Sequence, residues 1–348
     1  MTDEIFIGGL IVMLSALLYW GFKYLPRENW QILAVVPHKK DENARWQGIN
    51  LTYYGFFNAN AYVFAMAITI VMLSALAIPM LPIALTSVLL LSLCIPASKL
   101  VARIVEKKKN TFTVGGASFI GIIAAPWVII LVNKIGGSHF QLPLASTLAA
   151  FSIAYALGEG VGRLACISFG CCYGKPLDQC YPWLQKVFNR YSFIYYGKTR
   201  KIAYAHHLDE QKILPIQAIT AVLYITSGLI GVYMFLKGLP TLALIQTLTV
   251  TQVWRTISEF FRADYRGEGK LSAYQIMALI SVVYIIFIMI GMPTSEQISA
   301  DISLGMLQLW NPWIIIILEL FWGMIFLYTG RSMVTGSTIS LHVHTHQI

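Results

Sequence analysis

A short stretch near the middle of the chain, residues 158–175, contains the residue types best suited to chemistry. It holds Glu159, Arg163, three cysteines and several glycines, and it follows an apolar run. Ionisable groups at membrane depth are energetically costly and usually serve a function. Glu159 precedes Arg163 by four residues, the spacing and order that place both on one face of a helix as an ion pair. The stretch is therefore predicted to form the wall of a polar site, although a purely structural ion pair fits the same spacing.

The glycines of this stretch predict an interruption of the helix. Glycine tolerates backbone conformations that other residues avoid. Irregular backbone at membrane depth is found only where it faces protein or a polar cavity. We therefore expect the straight helix to stop soon after Arg163.

A second group of ionisable residues lies about ninety residues further on, where Arg255 is followed by Glu259 and Arg262. Arg163 and Arg255 are predicted to approach the same membrane face, and two guanidinium groups form a planar, permanently charged fork for phosphate. Alternatively, each arginine is neutralised by the acid four residues away, which is Glu259 in the case of Arg255. Both descriptions are compatible, because one guanidinium group has five donors.

The cysteines give weaker indications. Cys166, Cys171, Cys172 and Cys180 show no C-x-x-C spacing, and adjacent cysteines rarely bind one ion together, so the sequence predicts no metal site. A catalytic thiol at Cys171 or Cys172 remains open, although no histidine lies near in sequence to act as its base. A disulfide to Cys180 also remains open if this side faces an oxidising compartment.

Composition indicates the class of protein. Hydrophobic residues make up 57% of the chain and charged residues 12%, against about 25% charged residues in soluble domains. Several apolar runs reach the roughly 20 residues that a membrane span requires. The predicted fold is an all-α, polytopic membrane helical bundle of about nine transmembrane helices, with a small extramembrane cap at 175–213. The predicted spans are 5–23, 54–78, 83–102, 112–134, 145–165, 214–236, 241–261, 272–292 and 310–330.

The termini and the charges allow two further expectations. The first apolar run lacks a basic n-region and a cleavage site, so we expect a retained helix rather than a signal peptide. Most of the 25 lysines and arginines fall on one side of the membrane, here called side A, which holds the 24–51 loop, the cap and the C-terminal tail. Such a bias indicates either a cytoplasmic side or a surface that attracts anionic lipid headgroups. We expect the protein to interact with the membrane and not with nucleic acid.

Several motifs, in conserved order from about residue 50 to 292, resemble those of the prolipoprotein diacylglyceryl transferase (Lgt) family. The family signature Gly-Arg-x-Gly-Asn-Phe-x-Asn-x-Glu is matched at Gly162 and Arg163, and Lgt-like relatives share the Gly-Cys-Cys-Tyr-Gly-Lys-Pro run that follows. Further matches are Tyr54-Gly55, Gly115-Gly116, Pro215-x-Gln217, Arg255-x-x-x-Glu259-Phe260-Phe261-Arg262 and Leu271-Ser272-x-x-Gln275. On this resemblance, residues 51–292 form the family core, while 1–50 and 293–348 add a helix with a polar connector and a helix with a tail.

The resemblance implies a transfer reaction on lipid. The family moves the diacylglyceryl group of phosphatidylglycerol to the cysteine thiol of a prolipoprotein signal peptide, in the plasma (inner) membrane, without metal or cofactor. By this resemblance Arg163 and Arg255 hold the phosphate, Tyr54 orients the headgroup, and Glu259 fixes Arg255. The other substrate-binding residues that it implies are Gly115, Gly116, Gly162, Gly170, Tyr173, Gly174, Gln217 and Arg262.

The chain also departs from the family pattern. The two asparagine positions of the signature hold Cys166 and Phe169, its glutamate position holds Cys171, and two family histidines are replaced by Val114 and Leu214. A non-catalytic phospholipid-binding or transport protein, or a diacylglyceryl transferase with another acceptor, therefore remains an alternative.

Two expectations follow from these departures. One hypothesis is that Glu159 supplies the missing carboxylate as a catalytic residue. The family also opens its site to the extracytoplasmic side, which would place side A outside the cell.

Overall fold

The apolar runs of the sequence form long helices in the computed structural model, which describes residues 2–42, 45–105, 107, 113–264, 271–291 and 299–348. Lys108, Lys109, Arg266 and Lys270, which the sequence assigns to side A, lie outside these residues. The helices are α1 (Asp3–Tyr24), α2 (Tyr53–Ser74), α3 (Met80–Val105), α4 (Val114–Gly136), α5 (Leu144–Phe169), α6 (Pro182–Phe188), α7 (Lys201–His206), α8 (Ile216–Leu236), α9 (Pro240–Ser258), α10 (Ala273–Ile290), α11 (Ile302–Leu309) and α12 (Pro312–Gly330).

Eight of these helices are long and apolar enough to cross a membrane, which confirms a multi-pass helical bundle. They coincide with eight of the predicted spans. The ninth predicted span, 241–261, is occupied by α9, which is more polar and packs among α5, α8 and α10. Because α9 touches protein on several sides, its glutamines bond to neighbouring helices instead of meeting lipid: Gln246 donates to the Ser227 hydroxyl of α8 and Gln252 to the Tyr155 hydroxyl of α5.

Helix α5 lies at the centre of the bundle and packs against α2, α8 and α9. Its glycines permit this close packing: a Cβ atom at Gly158 would lie 2.8 Å from the Cβ of Ala65, and one at Gly160 would lie 2.6 Å from Ile225. The expected end of the helix after Arg163 is confirmed, and it occurs at the first glycine that follows Arg163. The helix continues to Phe169 and ends at Gly170, whose φ of 68° forms a left-handed C-cap.

A small antiparallel sheet on side A joins the two ends of the chain. Its strands are β1 (Ile32–Lys40), β2 (Trp46–Thr52) and β3 (Arg331–Ile339), in the order β1-β2-β3. The sequence analysis treated these segments as a polar connector and a tail. The β-branched residues of the Ile32–Lys40 segment were the available local signal, but the pairing of β2 with β3 spans almost the whole chain.

The cap is tied to the bundle by Arg200, which is fully buried. Its guanidinium group donates to the backbone carbonyls of Ile167 at 3.1 Å, Ser168 at 2.9 Å and Leu25 at 3.0 Å, and also to that of Arg27. One side chain therefore joins the C-terminal ends of α1 and α5 to the cap.

Candidate active site

The carboxylate of Glu159 lies between the two intramembrane arginines and binds both. Its Oε2 atom is 2.6 Å from Nη2 of Arg255, and its Oε1 atom accepts a hydrogen bond from Nη2 of Arg163. Nη2 of Arg255 also donates to the hydroxyl of Tyr155 at 2.7 Å. The side chains of the three charged residues are only 6 to 12% exposed. The predicted convergence of Arg163 and Arg255 is thereby confirmed, and so is the pairing of Glu159 with Arg163.

The carboxylate that neutralises Arg255 differs from the one that spacing suggested. Arg255 forms its ion pair with Glu159 across α5 and α9, whereas Glu259 forms an ion pair with Arg262 at 3.4 Å. Arg262 also makes a bidentate contact with Asp264, with two bonds of 2.8 Å. The reason is geometric, because α9 ends at Ser258 and Glu259 begins a separate 3₁₀ turn.

Two distant segments meet beside these charges. The segment that follows the cysteines pairs with the segment that follows α9: the backbone N–H of Lys175 donates to Phe261 at 2.9 Å, and that of Ala263 donates to Tyr173 at 3.1 Å. On the other side, the side-chain amide of Gln217 donates to the carbonyl of Cys171 at 3.0 Å. The turn that contains Cys166, Cys171 and Cys172, here called the cysteine turn, is therefore held from two directions.

A small polar pocket lies inside this arrangement, with free space of about 10 Å³, or about one water molecule. Nε of Arg163 and Nε of Arg255 are buried and have no hydrogen-bond partner within the described chain. Buried donors are normally paired, so these two N–H groups are available to an oxygen atom of a ligand. The residues that line the pocket are Arg163, Cys172, Ile216, Gln217, Thr220, Tyr224, Arg255, Ser258, Glu259 and Arg262.

The glycines that the family resemblance implies as substrate-binding residues lie in different surroundings from one another. A Cβ atom at Gly115 would lie 2.6 Å from the ring of Tyr274 and 3.3 Å from Nη1 of Arg255, so Gly115 borders the site. Gly116 packs against Val101 of α3, and Gly174 against the backbone of Leu214. A Cβ atom at Gly162 would make an ordinary van der Waals contact, 3.6 Å, with the Cβ of Ala61.

Two predicted tyrosines lie outside the pocket. The ring of Tyr54 is 5.4 Å from that of Phe169, at the end of α5. Tyr173 is fully buried, and its hydroxyl bonds Nδ1 of His206 in the cap. Sequence reasoning missed two tyrosines of the site, Tyr155 and Tyr224. Tyr155 precedes Glu159 by four residues and so shares its helix face, which was the available signal.

Three thiols gather where α5 ends. The sulfur atoms of Cys166, Cys171 and Cys172 all lie within 4.8 Å of one another. Hydrogen bonds from the other two thiols hold the pKa of Cys172 well below its usual value, and Arg262 and Arg163 act in the same direction. All five cysteines are within the described residues, and none forms a disulfide.

A comparison with known protein families shows which family the chain belongs to. The family model for prolipoprotein diacylglyceryl transferase matches residues 44–291, well over half of the chain. The chain belongs to the prolipoprotein diacylglyceryl transferase family. The matched range contains both arginines, the cysteine turn and the cap, whereas α1 and α12 lie outside it. No curated protein and no solved structure matches the chain in the corresponding searches.

Proposed function

We propose that this protein transfers the diacylglyceryl group of phosphatidylglycerol to the cysteine thiol of a prolipoprotein signal peptide in the plasma (inner) membrane. The observation that carries the proposal is the convergence of Arg163 and Arg255 on one pocket within the bundle. The family match supports the reaction class in general. The donor, the acceptor and the membrane are the specific parts of the proposal.

The two arginines suit a phosphodiester because each has a buried donor to offer. Nε of Arg163 and Nε of Arg255 remain unpaired after both side chains have bound Glu159. A phosphate group that accepts from both would fill the last unsatisfied positions of the fork. Arg262 lines the same pocket, but its charge is offset by its ion pairs with Glu259 and Asp264.

Glu159 positions this fork and also competes for it. Its carboxylate holds the two guanidinium groups together while no lipid is bound. The free space of about 10 Å³ is too small for a lipid headgroup, since a drug-sized ligand needs about 300 Å³ or more. Binding therefore requires the arginines to move apart, with phosphate replacing part of their contact with Glu159.

The two arginines contribute to the reaction by electrostatic stabilisation of the leaving group. The acceptor thiolate attacks the glyceryl carbon, the carbon–oxygen bond to phosphate breaks, and glycerol phosphate leaves with the electron pair. Negative charge grows on the departing phosphate, so donors already aimed at it lower the barrier. The proton of the acceptor thiol must be removed before attack.

The test is a turnover assay with the purified chain in micelles of phosphatidylglycerol and a prolipoprotein peptide that contains its cysteine. We expect thiol-dependent release of glycerol phosphate, and a decrease in kcat/KM of about 100-fold or more in Arg163→Ala and in Arg255→Ala. Lys198→Ala, at an exposed position of the cap, is the matched control and should keep full activity.

The alternative functions give different results in the same assay. Release of glycerol phosphate with another acceptor but not with the peptide would leave a diacylglyceryl transferase of different specificity. No release, with phosphatidylglycerol still bound in an arginine-dependent way, would replace the proposal with phospholipid binding or transport.

A further inference from the structure

The cysteine turn has a geometry that its sequence spacing conceals. Cys166 lies in the last turn of α5, and the left-handed Gly170 reverses the chain immediately after it. The backbone N–H of Cys171 then donates to the carbonyl of Cys166 at 3.0 Å, which places the two residues one above the other. Cys172 has a φ of 56°, unusual for a non-glycine residue. This conformation brings its sulfur back toward the other two.

Three sulfur atoms in such proximity form a ligand set for a thiophilic metal. They lie within 4.8 Å of one another, while tetrahedral Zn²⁺ with bonds of about 2.3 Å separates its sulfur ligands by about 3.8 Å. The required contraction is about 1 Å, within reach of side-chain rotation about χ1. One disulfide could use only two of the three sulfurs. A metal ion uses all of them.

The surroundings favour a thiolate complex. Three thiolates and Zn²⁺ carry a net charge of minus one, and Cys172 shares its pocket with Arg163 and Arg262, which are also paired with carboxylates. Positive neighbours stabilise such an anionic centre. Within the described residues, these three cysteines are the group whose ligand atoms could close around one ion. Three protein ligands leave the fourth tetrahedral position open, the arrangement of catalytic zinc sites.

We propose that Cys166, Cys171 and Cys172 bind one Zn²⁺ ion. Its fourth coordination position opens into the polar pocket lined by Arg163 and Arg255, and accepts a thiol. The identity of that thiol rests on the proposed function, in which it is the acceptor cysteine of the prolipoprotein. The acceptor binds as a thiolate and releases its proton to solvent. Its sulfur would then form the bond to the glyceryl carbon while the carbon–oxygen bond to phosphate and the bond between that sulfur and Zn²⁺ break, and no oxidant or reductant takes part.

This centre would compensate for the lost polar residues of the family signature. Cys166 stands at a signature asparagine position and Cys171 at its glutamate position, while Val114 replaces a histidine. A bound metal lowers the pKa of a thiol ligand, so these substitutions exchange one means of removing a proton for another.

The first experiment measures metal on the full-length chain, purified under reducing conditions. We expect one Zn²⁺ per chain, and thiolate-to-metal charge-transfer absorption when Co²⁺ replaces it. Cys166→Ser, Cys171→Ser and Cys172→Ser should each lower bound metal more than about tenfold. Cys94→Ser and Cys180→Ser, outside the cluster, are matched controls and should bind metal like the parent.

A second measurement needs no variant and so does not depend on how well the variants fold. Maleimide labelling of the parent protein, read by mass spectrometry, should show Zn²⁺ protecting Cys166, Cys171 and Cys172 but not Cys180. Equal labelling with Zn²⁺ and with chelator, or metal retained in all three serine variants, would overturn the site. A disulfide between two of the three cysteines in the reduced preparation would also overturn it.

The proposed metal site and the proposed transferase activity can be rejected independently of each other. Zn²⁺ bound by the three cysteines without glycerol phosphate release would keep the metal site and reject the proposed function. Full transfer to the peptide by chelated protein, or by the three serine variants, would keep the function and reject the role of the metal.

Discussion

At the scale of single residues, the site depends on one carboxylate shared by two arginines. Glu159 neutralises charges contributed by α5 and by α9. Removing one member of a buried ion pair leaves an uncompensated charge in the protein interior. On the proposed function, the same carboxylate occupies the position that a phosphate must approach. Stability and lipid binding are therefore coupled through Glu159.

We expect Glu159→Gln to lower the free energy of unfolding by about 3 kcal/mol, because two buried guanidinium groups lose their counter-charge. Phosphatidylglycerol should raise the melting temperature more in this variant than in the parent, since lipid phosphate replaces the lost carboxylate. Thermal unfolding in detergent, with and without the lipid, measures both effects. Glu4→Gln, whose exposed side chain pairs with Lys237 at 3.6 Å, is the matched control. Full turnover by Glu159→Gln would reject a catalytic role for Glu159.

Gly115 borders Arg255 closely enough for a single methyl group to matter. Its Cβ would lie 2.6 Å from Tyr274 and 3.3 Å from Nη1 of Arg255, so Gly115→Ala should displace the guanidinium group. We expect a destabilisation of about 1–3 kcal/mol and a lower turnover. Gly323→Ala in α12 has nothing within 4 Å of the new methyl group and should be neutral or stabilising. Equal turnover in both variants would contradict a close approach of Arg255 to α4.

At the scale of elements, Arg200 adds a buried polar link between the cap and the bundle to the packing of buried cap residues such as Phe193 and Ile202. Arg200 donates to carbonyl groups at the ends of α1 and α5, where the last carbonyls of a helix lack the partners that the helix interior supplies. Its position also leaves little room at the turn that carries the cysteines, because a Cβ atom at Gly170 would lie 3.3 Å from the Cβ of Arg200.

Arg200→Ala should leave several buried carbonyls unpaired and lower the free energy of unfolding by about 3 kcal/mol or more. We expect the cap, 175–213, to become sensitive to protease before the rest of the chain unfolds. Limited proteolysis followed by mass spectrometry locates the cleavage sites. Lys198→Ala, two residues away and exposed, serves as control. An unchanged digestion pattern in Arg200→Ala would show that other contacts hold the cap.

At the scale of the whole molecule, the two ends of the chain meet on side A. Strand β3, after α12, pairs with β2, before α2. On the opposite face, Lys237 at the end of α8 contacts Glu4 at the start of α1. The chain must therefore cross the bundle an odd number of times between Lys237 and β3. Helices α10 and α12 account for two of these crossings, so α9 supplies the third and brings the total to nine.

The orientation of this bundle stays a prediction: side A, with the cap, faces the extracytoplasmic side. A membrane-impermeant maleimide should then label Lys198→Cys in intact cells, and Lys237→Cys only after permeabilisation. Unmodified protein corrects for the native cysteines. The reverse pattern would place the basic side in the cytoplasm and explain its charge by the positive-inside rule.

The sequence by itself determined what depends on local spacing and composition. Apolar runs of sufficient length specified where the helices lie, and the four-residue interval specified the pairing of Glu159 with Arg163. The motifs were sufficient to identify the family. Each of these properties is contained within a few helical turns, so no knowledge of distant contacts was needed.

Only the tertiary structure decided which distant groups share a position. The pairing of Arg255 with Glu159 instead of Glu259 depends on the packing of α5 against α9. The approach of three sulfur atoms depends on the left-handed turn at Gly170 and the positive φ of Cys172, which the spacing of the cysteines does not reveal. The sheet depends on pairing between opposite ends of the chain. Such contacts are set by how helices pack against one another, and packing is a property of the whole chain.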